Sequence, residues 1–140
     1  MKTVMQQIGE FGQIYTQFKN KPKDAIKHLK KVENGECTKA FYRKDVGYID
    51  LVWGEHNPNT NNGYGLKHII EKHGDEIKQL GFEVDDFIPL AIEYGLFDIK
   101  RSNEKKIILS NKMFRVVIAQ KWNGKNKTFL LTTFDLRKKV

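Results

Sequence analysis

The sequence contains a single cysteine, Cys37, and this scarcity excludes two kinds of protein. One thiol cannot close a disulfide within the chain, and it cannot supply the several thiolates of a zinc cage. Cys37 lies in a run of strand-forming residues, where a lone cysteine is more often a packed side chain than a nucleophile. We therefore expect no disulfide scaffold and a thiol without a chemical role.

Long hydrophobic runs are also missing from the sequence. No stretch of about 18 apolar residues occurs, so the sequence predicts no membrane span. The first residues lack the apolar core and the small-residue cleavage site that define a signal peptide. We therefore expect no membrane partner, and a cytoplasmic location in either the producing or the target cell.

Positive charge is abundant. The chain of 140 residues has 25 lysines and arginines against 17 acidic residues, a formal net charge of +8. Such a balance makes a polyanionic partner such as RNA more probable than a neutral or cationic one. The length suits one domain that buries its own core.

The pattern of apolar residues changes from helical to strand-like along the chain. Helical spacing predicts helices at 4–18, 22–32, 66–80 and 85–94, with Pro22 in a first turn and Asp85 as an N-cap. Residues 54–65 contain so many turn formers that we predict a loop. Alternating and β-branched residues predict strands at 37–42, 46–53, 96–100, 106–110, 113–121 and 128–134. This order predicts an α+β fold in which N-terminal helices pack on an antiparallel sheet.

Histidine is the side chain best suited to proton transfer near neutral pH. At roughly 100° per residue, His68 lies on the helix face opposite the apolar stripe, beside Lys72 one turn further on. His73 falls within the apolar stripe, where a core histidine with satisfied nitrogens is an equally good interpretation. We expect the two on different faces, because their i,i+5 spacing differs from the i,i+4 spacing of a zinc pair. The sequence therefore predicts no metal site and no cofactor.

A second group of candidates lies in the C-terminal strands. Arg115 and Lys121 are an even number of residues apart, which places them on the same face of a regular strand. Thr132 and Thr133 are adjacent, so only one of them can share that basic face. Arg101 is interpreted either as a phosphate contact or as a charge that protects a sheet edge. Tyr64, in the glycine-rich loop near His68, is the best candidate for stacking on a base.

Three segments in order resemble the phage-associated branch of the barnase/EndoU/colicin/RelE-like endoribonuclease superfamily. They are FKNKPKDAIKHL with VGYIDLVWG (18–54), YGLKHIIEKH (64–73), and VVIAQKWNGKNKTFLLTTFDLRKK (116–139). The resemblance covers most of the chain after about residue 17. It implies a domain at 18–140, preceded by an N-terminal helical extension at 1–17.

The resemblance also implies a function. It implies a helical part on a four-stranded antiparallel sheet that binds RNA, and use as a toxin with a cognate immunity protein. Its motif positions correspond to these catalytic candidates: His68, His73, Lys121, Thr132 and Thr133. RNA cleavage without metal needs a base for the 2′-OH, an acid for the leaving oxygen and donors for the phosphate. We therefore expect a metal-independent endoribonuclease of the toxin type.

Two other functions remain open at this point. A non-catalytic RNA- or protein-binding module would keep the fold and the positive charge without needing a titrating histidine. A structural role in a phage particle would use the same charge against DNA. The sequence does not assign which histidine is the base and which is the acid.

Overall fold

Three helices cover one face of an eight-stranded sheet in the computed structural model, which describes residues 7–137. The helices are α1 (Pro22–Val32), α2 (Gly65–Gln79) and α3 (Val84–Tyr94). The strands are β1 (Ile8–Gly9), β2 (Gly12–Tyr15), β3 (Glu36–Arg43), β4 (Gly47–Val52), β5 (Glu55–Asn57), β6 (Asn62–Tyr64), β7 (Leu96–Phe97), β8 (Lys106–Ser110), β9 (Phe114–Trp122) and β10 (Lys125–Asp135). The α+β class predicted from the sequence is confirmed.

The sheet order is β1-β2-β3-β4-β10-β9-β8-β7, and β5 pairs with β6 in a separate two-stranded sheet. The large sheet is mostly antiparallel, but β2 pairs with β3 and β10 pairs with β4 in parallel. The pairing of β10 with β4 consists of one pair, Phe129 with Asp50. The resemblance implied a four-stranded antiparallel sheet. The observed sheet has eight strands, and two of its pairings are parallel.

Apolar side chains are buried on both faces of the sheet. The main core lies between the helices and one face, and it includes Ile49 and Leu51 of β4 and Leu130 of β10. Val52 and Phe129, their chain neighbours, belong to a smaller aromatic-rich cluster. Because successive side chains of a strand point to opposite faces, this smaller cluster lies on the face without helices.

The prediction of a helix at 4–18 is wrong within the described residues. Residues 8–15 form the β1–β2 hairpin, and β2 pairs with β3 through Ile14 and Tyr15. Gly12 has φ +105°, and a Cβ there would lie 2.2 Å from the Asn34 side chain, so the turn requires glycine. Tertiary pairing with the sheet overrides the helical spacing of the apolar residues. Residues 1–6 of the predicted extension lie outside the described residues, and the boundary at 17/18 stays a prediction.

Other expectations differ from the structure in detail. The predicted loop at 54–65 contains the β5–β6 hairpin, and the predicted strand at 96–100 is only two residues long. The N-cap of α3 is Glu83, while Asp85 lies in the first turn, where its charge favours the helix dipole. No helix within residues 7–137 is both long and apolar enough to cross a membrane.

Local conformational preferences of the sequence agree with the structure at a helix start and at a tight turn. Pro22 stands at the start of α1. Asn123 and Gly124 have φ of 49° and 78°, the left-handed pair expected of a tight hairpin, and they join β9 to β10. Cys37 is fully buried, which confirms the packed thiol, and burial raises its pKa to about 12.

Candidate functional site

The start of α2 is fixed tightly against the end of β4. Gly65, the first residue of α2, has φ +84°, and a Cβ there would lie 2.8 Å from the carbonyl oxygen of Trp53. The Lys67 N–H donates to that same carbonyl oxygen at 2.8 Å. The β5–β6 hairpin, which fills the chain between Trp53 and Gly65, also contacts α2. This arrangement brings the hairpin's His56 beside the first turns of the helix.

His56 and His68 form a direct pair. Their Nδ1 atoms are 2.9 Å apart, so one nitrogen donates a proton and the other accepts it. His68 is only 4% exposed, which makes the predicted solvent-facing orientation wrong. The helical wheel assigned that side of α2 to solvent, whereas the β5–β6 hairpin covers it. Burial, followed by the nearby His73, His56 and Lys72, lowers the pKa of His68 to about 4.

His73 adjoins this pair. Its ring centroid is 5.6 Å from that of His68, so the prediction that the two histidines lie apart is wrong. The Nδ1 of His73 is hydrogen-bonded to the Glu76 carboxylate, and the second oxygen of that carboxylate accepts the Asp135 N–H at 2.8 Å. His73 is 8% exposed, and burial lowers its pKa even though Glu76 acts in the opposite direction. It is thus a buried, hydrogen-bonded histidine that contacts a second histidine.

The His73 ring contacts a residue on the face of the sheet that carries no helices. It stacks on Phe134 with centroids 5.5 Å apart and ring planes 29° apart. Phe134 of β10 is the register partner of Arg115 in β9, and Thr132 is the partner of Val117. Thr132, Phe134 and Arg115 therefore share the face that carries no helix. These contacts bring the two histidines of α2 next to Arg115 and Thr132, which lie at one end of the predicted basic face.

Two polar atoms on this face are buried without a partner. The Nε of Arg115 and the Oγ1 of Thr132 are closed to solvent, and neither has a hydrogen-bond partner within residues 7–137. Thr133 points to the opposite face, where its hydroxyl donates to the Arg115 carbonyl at 2.9 Å. Unsatisfied buried donors are uncommon in folded proteins, so those of Arg115 and Thr132 suit a bound polar ligand.

The other predicted residues lie around this centre or away from it. Lys121 is exposed, bonds to Asn126, and lies six residues beyond Arg115, roughly 20 Å along the strand. Lys72 is exposed on α2, one turn after His68. The Tyr64 ring packs against Trp122 at 4.7 Å, at the start of α2.

Arg101 does not join this group through any contact of the described residues. It lies in the turn between β7 and β8 and forms an ion pair with Asp98 at 2.8 Å.

An open groove leads to the histidine pair from the hairpin side. His56, Tyr64 and Lys67 line it, together with the polar turn between β5 and β6. His56 is half-buried and so connects the groove with the buried His68. Within residues 7–137, no three histidine, cysteine or acidic side chains have the geometry of a metal site.

Sequence reasoning missed three features of this region. It did not place His56 in the site, although its position between Gly54 and Gly65 was a signal that the loop folds back on α2. It missed Glu76, which is one helical turn after His73. Outside the cluster, it did not predict that the His28 ring is half-buried against Tyr15, with centroids 4.2 Å apart.

A buried ionic cluster adjoins the smaller aromatic core and was also missed. Lys127 of β10 bonds to Glu36 of β3 and, at 2.6 Å, to Asp50 of β4. Glu36 is 2% exposed. Burial alone would lower the pKa of Lys127, but the two carboxylates raise it above its ordinary value. The cluster joins β10 to its neighbour β4, beside the single parallel pair of these two strands, and to β3 on the far side of β4.

One comparison with known proteins identifies a family for this chain. A family model described as phage-Barnase-EndoU-ColicinE5/D-RelE like nuclease1 matches residues 40–140. No curated protein and no solved structure matches the chain. The matched residues include every histidine of the cluster, Glu76 and the strands of the basic face. The chain therefore belongs to the phage-Barnase-EndoU-ColicinE5/D-RelE like nuclease1 family, and its function is of the nuclease type.

Proposed function

We propose that this nuclease is a metal-independent endoribonuclease that uses the ribose 2′-OH as its nucleophile. The observation that carries the proposal is the contact chain His56–His68–His73–Phe134, which ends beside Arg115 and Thr132. Proton-transfer groups and phosphate donors are the two elements that this reaction needs. DNA lacks the 2′-OH, so such a site would be selective for RNA.

In this proposal His73 and Glu76 act together as the base. The carboxylate holds the Nδ1 proton of His73, which leaves Nε2 free to accept the proton of the 2′-OH. Glu76 also stabilises the imidazolium that forms, as a carboxylate does behind a catalytic histidine. A phosphate bound at Arg115 would add negative charge nearby and favour that imidazolium further.

The His56–His68 pair then supplies the second proton. The lowered pKa of His68 makes a proton on this ring strongly acidic, so His68, bonded to His56 through Nδ1, would readily donate to the leaving 5′-oxygen as that oxygen becomes negative. The positive charge of the partly buried Arg115 guanidinium, beside the Thr132 side chain on the same face, would stabilise the charge on the phosphorane oxygens. Lys121, Lys72 and Tyr64 would contact the RNA on either side, with Arg101 as a more distant phosphate contact.

The biological part of the proposal is a toxin role. A cognate immunity protein that shields this face would need acidic side chains there, because the chain has a net charge of +8. Such a protein would compete with RNA for the same surface.

We expect the purified protein to cleave total RNA in the presence of EDTA and to leave 2′,3′-cyclic phosphate or 3′-phosphate ends. Transphosphorylation to the 2′-oxygen expels the 5′-oxygen and produces those ends. Attack by water that expels the 3′-oxygen instead leaves 5′-phosphates. End-group analysis of the fragments checks the mechanism. His73→Gln protein, purified in the same way, controls for contaminating ribonucleases. Cleavage that requires magnesium, or 5′-phosphate products, would contradict the proposal.

Replacing Arg115 or Lys121 by alanine should weaken RNA binding and reduce its salt dependence. Each lost phosphate contact lowers the log–log salt slope by about 0.7 on single-stranded RNA. Titration of a labelled oligoribonucleotide at several salt concentrations measures both quantities. Lys27→Ala, an exposed lysine on the helical side, is the matched control and should bind as the wild type does. If all three variants give the wild-type slope, RNA does not bind on this face.

A further inference from the structure

Two tyrosines, one exposed and one half-buried, form an aromatic pair at the far end of the β3–β4 hairpin. Tyr42 and Tyr48 are register partners, and their ring centroids are 5.0 Å apart. Tyr42 is 55% exposed. Their chain neighbours Phe41 and Ile49 lie in the main core, so both tyrosines project from the face without helices. This is the face that also carries Arg115 and Thr132.

Two lysines are held against this pair. The Lys19 Nζ lies 5.0 Å from the centroid of the Tyr48 ring, and the Lys39 Nζ lies 5.4 Å from it. Hydrogen bonding to Asn20, together with these ammonium groups, lowers the pKa of Tyr48. Both lysines are exposed, and neither is in an ion pair within residues 7–137. Their charges are therefore available to a phosphate.

The backbone at Lys39 is strained. Lys39 has φ +57°, in a register shift between Cys37 and Phe41. The Asp50 carboxylate accepts the Lys39 N–H at 2.7 Å, and the Lys39 carbonyl accepts the Asn20 N–H at 2.9 Å. A lysine in this left-handed conformation is unfavourable, and the surrounding hydrogen bonds offset that cost. The strained turn places the Lys39 ammonium over the Tyr48 ring.

We propose that Tyr42, Tyr48, Lys19 and Lys39 form a second binding site for single-stranded RNA, separate from the site of cleavage. Bases would stack on the exposed Tyr42 ring, and the two lysines would bind the adjacent phosphates. The inference rests on the proposed RNA substrate. Six residues lie between Tyr48 and Glu55, the start of the histidine-bearing hairpin, which corresponds to roughly 20 Å of extended chain. A long RNA would reach both sites, whereas a dinucleotide would occupy the cleavage site alone.

The test measures binding without cleavage. A fluorescent 2′-O-methyl oligoribonucleotide of about 15 nucleotides has no free 2′-OH, so its anisotropy reports affinity whether or not the protein cleaves RNA. We expect Tyr42→Ser to weaken binding about tenfold or more, because stacking contributes about 1–3 kcal/mol per base. Tyr42→Phe keeps the ring and should retain most of the affinity. The Lys19→Ala/Lys39→Ala double variant should lower the salt slope by about 1.4.

Matched controls separate this site from general surface effects. Tyr94→Ser removes a tyrosine that is 60% exposed on α3, and Lys27→Ala removes an exposed lysine from α1; neither should change affinity. Dinucleotide cleavage should be unchanged in Tyr42→Ser. If Tyr42→Ser binds the oligoribonucleotide with wild-type affinity, the proposal is wrong, and this surface would instead bind a protein. A protein that needs Tyr42 for binding but cleaves no RNA would uphold this site and refute the proposed chemistry.

Discussion

Replacing His73 by glutamine should lower the rate of RNA cleavage by a factor of about 10²–10⁴, the range expected when acid–base catalysis is lost. Glutamine fills the space of the ring and can still hydrogen-bond to Glu76, but it cannot take up a proton. Single-turnover rates on an oligoribonucleotide, measured well below the melting temperature, separate this effect from unfolding.

His68→Gln should produce a loss of similar size. His68 is also buried, which the sequence alone did not predict. His68→Ala would therefore leave a buried polar position empty and lower the free energy of unfolding by about 1–3 kcal/mol. His28→Gln is the matched control, since His28 is half-buried against aromatic rings outside the cluster. Folded His68 and His73 variants that cleave at the rate of His28→Gln would remove both histidines from the mechanism.

Replacing Lys127 by methionine should lower the free energy of unfolding by about 3–5 kcal/mol. The change leaves Glu36 and Asp50 as neighbouring carboxylates without their cation, and breaking a buried ion pair on one side usually costs that much. Urea denaturation monitored by tryptophan fluorescence measures the difference.

Two further variants define what that loss means. Lys125→Met removes an exposed lysine from the same strand and should change stability by no more than about 0.5 kcal/mol. The triple variant Glu36→Gln/Asp50→Asn/Lys127→Met removes all three charges together and should recover much of the loss. If Lys127→Met is as stable as Lys125→Met, the cluster does not hold the strands together.

The sequence predicted those elements whose signal is local. Pro22 at a helix start and Asn123-Gly124 in a tight turn have conformational preferences that depend little on the rest of the chain. The apolar spacing at 4–18 fits an amphipathic helix, but Ile14 and Tyr15 pair with β3 instead, and Ile8 is 77% exposed. Only the tertiary pairing selects the strand over the helix.

The sequence predicted which residues form the candidate site better than it predicted how they are arranged. His68, His73, Arg115 and Thr132 were identified from the sequence, and the structure brings these four into one chain of contacts and register pairs. A helical wheel treats one helix alone, so it could not foresee that the β5–β6 hairpin covers the side of α2 that bears His68. The catalytic roles of these residues stay predictions.

The ionic cluster around Lys127 has a consequence for where this domain can be cut. The family model begins at residue 40, in the middle of β3 and four residues after Glu36. A fragment trimmed to that boundary would delete one of the two carboxylates that neutralise Lys127 and would expose the edge of β4. A fragment that begins at residue 18 would keep the cluster but lose Phe11 from the aromatic packing around Phe129. The smallest piece of this chain that preserves these buried contacts therefore includes the N-terminal hairpin.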